Sequence, residues 1–204
     1  TLFEFGRDYI LFPALAGFLI VAPFLAIGLY EKSRALNEDR RIGLASMLRT
    51  RPRAGPQVFF AGLMLCVLML LWTRAAVLVW ALFFGVTAFP GLDNIIGVLI
   101  GSAYGWTMVA VGTLIGGLFA AFAFSISVFA VPMMLDRRVD ALTAMGTSMK
   151  LVWNNLPVMI GWGAIVSVLF VLCVATGLLG MIVIFPLLGH ATWHAYLAIA
   201  GLEA

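Results

Sequence analysis

Charge is what this sequence has least of. Asp, Glu, Lys and Arg make up 10% of its 204 residues, against roughly 25% in a soluble domain whose whole surface faces water. Cysteine and histidine occur twice each. Cys66 and Cys173 stand singly inside apolar runs, with no CxxC pair, which excludes the usual zinc and dithiol redox motifs and leaves two small buried hydrophobes. A Ser–His–Asp set, a phosphate-cradling loop and a pair of facing carboxylates are all missing from the pattern. The expectation is a chain that is not an enzyme and holds no cofactor.

What fills the sequence instead is apolar: 64% hydrophobic residues and a mean hydropathy of +1.12. So much apolar surface needs lipid as its solvent. Membrane β-barrels alternate polar and apolar residues, whereas the runs here are long and uninterrupted. The fold class that follows is all-α: a polytopic transmembrane helical bundle, read as a single membrane domain over residues 1–204.

The positions of the few charges set the topology. The formal net charge is +3, which could suggest a nucleic-acid partner. However, seven of the twelve basic residues fall between Lys32 and Arg53, in one loop between apolar runs. That is the bias of Lys and Arg toward the cytoplasmic ends of membrane spans, and no nucleic acid is expected. The segments 31–57 and 136–155 are therefore placed in the cytoplasm, with 89–105 and 176–180 outside and the C-terminus inside.

The spans read as follows. Tyr9 to Leu29 has the length of roughly 20 residues that a helix needs to cross the hydrocarbon, and Pro23 lies deep enough in it to bend it. In the polar stretch that follows, Leu44, Met47 and Leu48 share a helical face, suggesting a surface-lying helix. Val58 to Phe89 carries a single charge, Arg74. It is longer than one crossing requires, with Arg74 near the outer boundary, where it can snorkel or pair with Asp93. A further crossing runs from Trp106 to Leu135. After it Leu142, Met145, Met149 and Val152 recur at helical spacing opposite Asp140, Thr143, Thr147 and Lys150, a second surface helix. Leu156 to Ala175 is a span, and Met181 onward through Pro186 is the last. This gives five spans and two cytoplasmic surface helices. The chain begins Thr-Leu-Phe on the outer side, so a sixth helix is expected upstream.

The order of features repeats. An inward-going helix with a proline near its inner end (Pro23, Pro132) leads to a surface helix, and a second proline (Pro56, Pro157) opens an outward-going helix. The pseudo-repeats are 9–89 and 106–176, with a partial copy over 178–200. In that copy Pro186 parallels Pro23, and Trp193-His194 falls where Tyr30-Glu31 does.

Candidate sites are few. Gly97, Gly101 and Gly105, then Gly112, Gly116 and Ala120, recur every four residues; small residues at that spacing let helices approach closely, within the bundle or against a partner. Arg74, Asp93 and Trp193 join these glycines as interaction candidates. His190 and His194 are spaced i, i+4, so one helical face could offer both to a metal. The zinc-protease pattern needs Glu after the first His, where this chain has Ala191, and a third ligand would come from afar, Glu31 by repeat position. The plainer reading puts both histidines, Trp193 and Tyr196 at the inner interface, where amphipathic rings gather.

Two stretches, Val131-Pro-Met-Met-Leu-Asp-Arg137 followed by Asp140-Ala-Leu-Thr-Ala144, and Pro186-Leu-Leu-Gly-His-Ala-Thr-Trp-His-Ala-Tyr196, carry a resemblance, together with Pro23 and Gly28-Leu-Tyr-Glu31. The chain resembles a bacterial family of predicted integral membrane proteins of unknown function, whose members are often labelled cytochrome c oxidase subunit I. The resemblance implies a bacterial inner-membrane protein of about six helices. A catalytic oxidase subunit needs more histidines than two to hold its haems and copper. The expected function is thus a non-catalytic subunit or assembly factor of a larger membrane complex, respiratory in the first instance, with lipids and another integral membrane protein as partners. The alternatives are a small-molecule or lipid transporter, and a metal- or haem-handling protein using His190 and His194.

Overall fold

In a computed structural model, residues 26–36, 43, 54–85, 92–177 and 179–201 are described, without the side chains of residues 92–94 and 96. Residues 26–36 are helical (α1). There follow α2 (Gly55–Phe84), α3 (Leu92–Ile100), α4 (Ala103–Ser127), α5 (Ala130–Asp136), α6 (Ala141–Asn154), α7 (Leu156–Ala175) and α8 (Met181–Ile199). The described residues contain no strand, and the all-helical expectation holds among them. Among the described residues, four segments are long and apolar enough to cross a membrane: Gly55–Phe84, Ala103–Asp136, Leu156–Ala175 and Met181–Ile199. Of the fifth expected crossing, Tyr9 to Leu29, only residues 26–29 are described, and the surface helix through Leu44, Met47 and Leu48 lies outside the described residues.

Local sequence explains the ends. Pro56 and Pro157 occupy the second position of α2 and α7, where a missing N–H removes no helical bond. Thr176 closes α7: its hydroxyl donates to the Leu172 carbonyl at 3.0 Å and accepts from the Gly180 N–H at 3.0 Å. Gly177 takes a left-handed φ of 61°, which a residue with a Cβ adopts only at a cost. Thr176 thus caps the end of α7 and holds the residue that precedes α8.

The chain forms two compact units: residues 1–65 with 124–204, and residues 66–123. In the first, α5 packs on α6 and α8, and α7 packs on α6 and α8. The core lies where the helix ends meet. Ile27 and Tyr30 of α1, Val58 and Ala61 of α2, Phe129 to Leu135 around α5, Ala141, Ala144, Met145 and Val152 of α6, Met159 of α7, and Trp193 and Tyr196 of α8 belong to one buried cluster. Backbone bonds tie it across long separations. The Ala54 N–H donates to the Met134 carbonyl at 3.2 Å, and the Ala141 N–H donates to Gln57 Oε1 at 3.0 Å.

The crossing expected as one helix from Trp106 to Leu135 is broken at residues 128–129. Pro132 has no N–H to continue the ladder, and its ring crowds the carbonyl four residues back, at Val128. Ser148 of α6, 0% exposed, fills the gap. Its Oγ accepts from the Phe129 N–H at 3.1 Å and donates to the Ser125 carbonyl at 2.7 Å, bridging the two groups that an unbroken helix would have paired with each other.

In α6 the apolar stripe is divided. Met145 and Val152 are buried, but Leu142 is 64% and Met149 46% exposed. The buried side is completed instead by Ala141, Ala144 and Ser148. Small residues let α6 come close to α5, and that close approach turns the longer side chains outward.

In the second unit, α2 from Cys66 runs to Phe84 and stops at Gly85, whose φ is 64°. Helix α3 ends at Ile100, and α4 starts at Ala103 after a bend at Gly101 and Ser102. Ser102 caps α4, its Oγ accepting from the Gly105 N–H at 3.0 Å. A serine that can serve the backbone in this way favours a helix start over a helix interior, so the run from Gly97 to Gly105 is not one continuous helix.

Candidate functional site

The polar side chains that the structure brings together sit on α1 and α8. His190 is half-buried, and its Nδ1 is hydrogen-bonded to the Ser33 Oγ. Ser33 is 1% exposed and also donates to the Leu29 carbonyl, one helical turn back, at 3.2 Å. A hydroxyl has one proton. When it goes to Leu29, His190 donates from Nδ1 and keeps its Nε2 lone pair; when it goes to His190, the tautomer is reversed. Glu31 pairs with Arg34 one turn on, at 3.0 Å.

Aromatic rings surround this pair. Tyr30 and Trp193 stack with centroids 6.2 Å apart, Trp193 meets Tyr196 at 5.8 Å, and Tyr196 meets Phe129 at 6.5 Å. These separations fall in the range where aromatic pairs add to simple burial. The Tyr196 hydroxyl donates to Asp136 Oδ2 at 3.5 Å, and Arg137 lies 3.4 Å from the same oxygen. The approach of α8 to α1 depends on Gly189, since a Cβ there would lie 2.7 Å from Leu29 Cδ1 and 3.0 Å from its Cβ. Trp193 is 2% exposed, and its indole N–H meets no acceptor among the described residues.

Of the sequence candidates, Trp193 lies at the centre of this cluster. His190 belongs to it and His194 is exposed, so spacing puts the two imidazoles on one face but packing gives them different surroundings. Among the described residues, no three His, Cys, Asp or Glu side chains gather as metal ligands would. Arg74 is exposed on α2. Asp93 lies in α3, and its side chain is outside the described residues. The glycines separate: Gly97 is in α3, Gly101 at the bend and Gly105 in the first turn of α4. A Cβ at Gly105 would fall on the Leu99 backbone, so its smallness serves the fold of the bend. Gly112 has open space beside it, and Gly116 faces the Trp72 indole, with 3.4 Å from an added Cβ to Nε1.

Comparison with known proteins supplies the assignment. Residues 11–136 match the family of predicted integral membrane proteins DUF2189, more than half of the 204 residues. The chain belongs to that family. It is thus an integral membrane protein, of a family whose description names the membrane and no activity. No curated protein and no solved structure matches the chain. The DUF2189 match takes in Tyr30, Ser33 and Phe129 and ends at Asp136, so His190, Trp193 and Tyr196 lie beyond it.

Sequence reasoning missed Ser33 and Ser148. Both are small polar residues on otherwise apolar helix faces. The available signal was the pairing of a buried serine with a proline-broken helix, which becomes visible only once the two helices are known to touch.

Proposed function

We propose that this DUF2189 protein is a non-catalytic integral membrane subunit or assembly factor of a larger complex in the bacterial inner membrane, a respiratory complex being the first setting to test. The observation that carries the reading is how the polar groups of the α1–α8 cluster are used. Ser33 bonds His190, Glu31 pairs with Arg34, and Tyr196 reaches Asp136. Two of these contacts join separate helices, α1 to α8 and α8 to α5, as a scaffold requires, while Glu31 and Arg34 pair within α1; groups so paired have little left to offer a substrate.

In this reading the loops 31–57 and 136–155 and the C-terminus are cytoplasmic, following the basic residues. The chain is built from parallel pseudo-repeats. Tyr30 and Trp193, each seven residues beyond its proline (Pro23, Pro186), stack on one another, which supports the repeat as a device for joining inner helix ends.

The test is isolation of the native protein from its own membranes in a mild detergent, followed by identification of every co-migrating chain. A stoichiometric membrane partner is the expected result. A lone, monodisperse species that retains all of the protein would overturn the proposal.

A further inference from the structure

Helix α6 has three sides, and only two are explained by the core or by water. Successive residues of a helix turn by about 100°. Ala141, Ala144, Met145, Ser148 and Val152 point into the core. About 100° round from their centre lie Leu142, Met149 and Trp153, exposed by 64%, 46% and 74%. A further turn of about 80–120° brings Lys150, Thr143 and Asn154, all exposed. Core, apolar exposed side and polar side thus follow one another around a single axis.

That order suits a helix lying along a lipid boundary, with tails beside the stripe and headgroups above the polar edge. The connections agree. Helix α6 joins Asp136, the end of one apolar segment long enough to cross a membrane, to Leu156, the start of another, so it lies at the end of both. Trp153, the most exposed of the stripe, is of the residue type that gathers at membrane–water interfaces.

The charges around the stripe have one predominant sign. Of the two carboxylates flanking the helix, Asp136 is engaged by Arg137 at 3.4 Å and by Tyr196. Asp140 is occupied by the Thr143 N–H at 2.9 Å. Arg138 and Lys150 are exposed, and neither meets a carboxylate among the described residues. From this charge complementarity we infer that the outward side of α6 is a binding surface for anionic phospholipid, with acyl chains against Leu142, Met149 and Trp153 and headgroup phosphates near Arg138 at one end and Lys150 toward the other. The inference does not depend on a partner complex, and a failure to find one leaves it standing.

The test uses the full chain reconstituted in phosphatidylcholine vesicles containing a fixed fraction of brominated phosphatidylglycerol or of brominated phosphatidylcholine. Trp153 emission is taken as the difference between the wild type and W153F, a substitution at an exposed position. Stronger quenching by the anionic brominated lipid is expected. In R138Q/K150Q that preference should fall on the order of tenfold, as each basic group near a membrane surface contributes an attraction of its own. Equal quenching by the two lipids would overturn the inference, as would a preference that survives in R138Q/K150Q. Absence of quenching by either lipid would do so as well, since the stripe would then be covered by protein.

Discussion

Replacing Ser148 by Ala removes one oxygen and separates two backbone groups from the atom that joins them. The Phe129 N–H, in a residue 0% exposed, loses its acceptor, and the Ser125 carbonyl loses a donor. Interhelical side-chain bonds in membrane proteins average only about 0.6 kcal/mol, because the unfolded reference finds other partners. An unsatisfied buried polar group costs more, about 1–3 kcal/mol. The N–H has no replacement while Pro132 keeps the helix parted, so the larger figure governs, and S148A should lose about 2 kcal/mol. For a chain of this length that corresponds to a fall in Tm of roughly 4–8 °C, read by thermal unfolding in detergent with size-exclusion detection. The decisive experiment adds P132A. Restoring an N–H at 132 allows the ladder to close and Phe129 to find Ser125 again, so the double variant should be less destabilised than the two single effects added together. A loss below about 0.5 kcal/mol in S148A, or strict additivity with P132A, would refute the bridging role.

Trp193→Ala empties the centre of the aromatic cluster and should cost about 3–5 kcal/mol. Trp193→Phe should cost well under half of that, since the indole N–H it removes has no acceptor among the described residues; chemical unfolding of the two variants gives the ratio. Gly189→Val drives a side chain against Leu29 and should cost about 1–3 kcal/mol, with cysteine cross-linking between α1 and α8 weakened in parallel. The Thr143 hydroxyl and N–H hold the Asp140 carboxyl below the usual carboxylate range. Its contribution to α6 is therefore complete above the unfolded value of 3.8 and lost as pH falls through the lower folded value. Asp140→Ala should abolish that dependence and speed amide exchange at Thr143, whereas Asp140→Asn, which can still cap, should keep the amide protected.

Much of the fold was legible because hydrocarbon imposes a simple code. A helix must be long and apolar to cross it, and the runs Val58–Phe89, Trp106–Leu135, Leu156–Ala175 and Met181 onward all contain helices close to those limits. Prolines marked helix starts correctly at Pro56 and Pro157. The breaks were harder to read. At residues 128–129 Pro132 parts the helix and Ser148 satisfies the freed backbone, and at 101–102 Ser102 caps the helix that follows. Periodicity records which residues are apolar, but it does not record where a hydroxyl will arrive from another helix. The same limit applies to α6, where the apolar stripe gave the helix correctly but divided its apolar arc between protein and surroundings at the wrong place. In the site, Trp193 was singled out from the sequence. The side chains that meet α8 there, Ser33 on His190, Tyr30 on Trp193 and Phe129 on Tyr196, come from segments distant along the chain, a proximity that only the folded chain reveals.

The buried cluster has an implication for biogenesis. Its components on α1, α2, α5 and α6 precede α8 in chain order, yet Trp193 and Tyr196 occupy its middle. A nascent polypeptide halted before residue 193 can place its earlier helices in the bilayer but has nothing to plug the space between them. Closure of the cluster therefore waits for α8. Prematurely terminated products should be recognised by membrane proteases as unfinished, however well their individual segments have inserted.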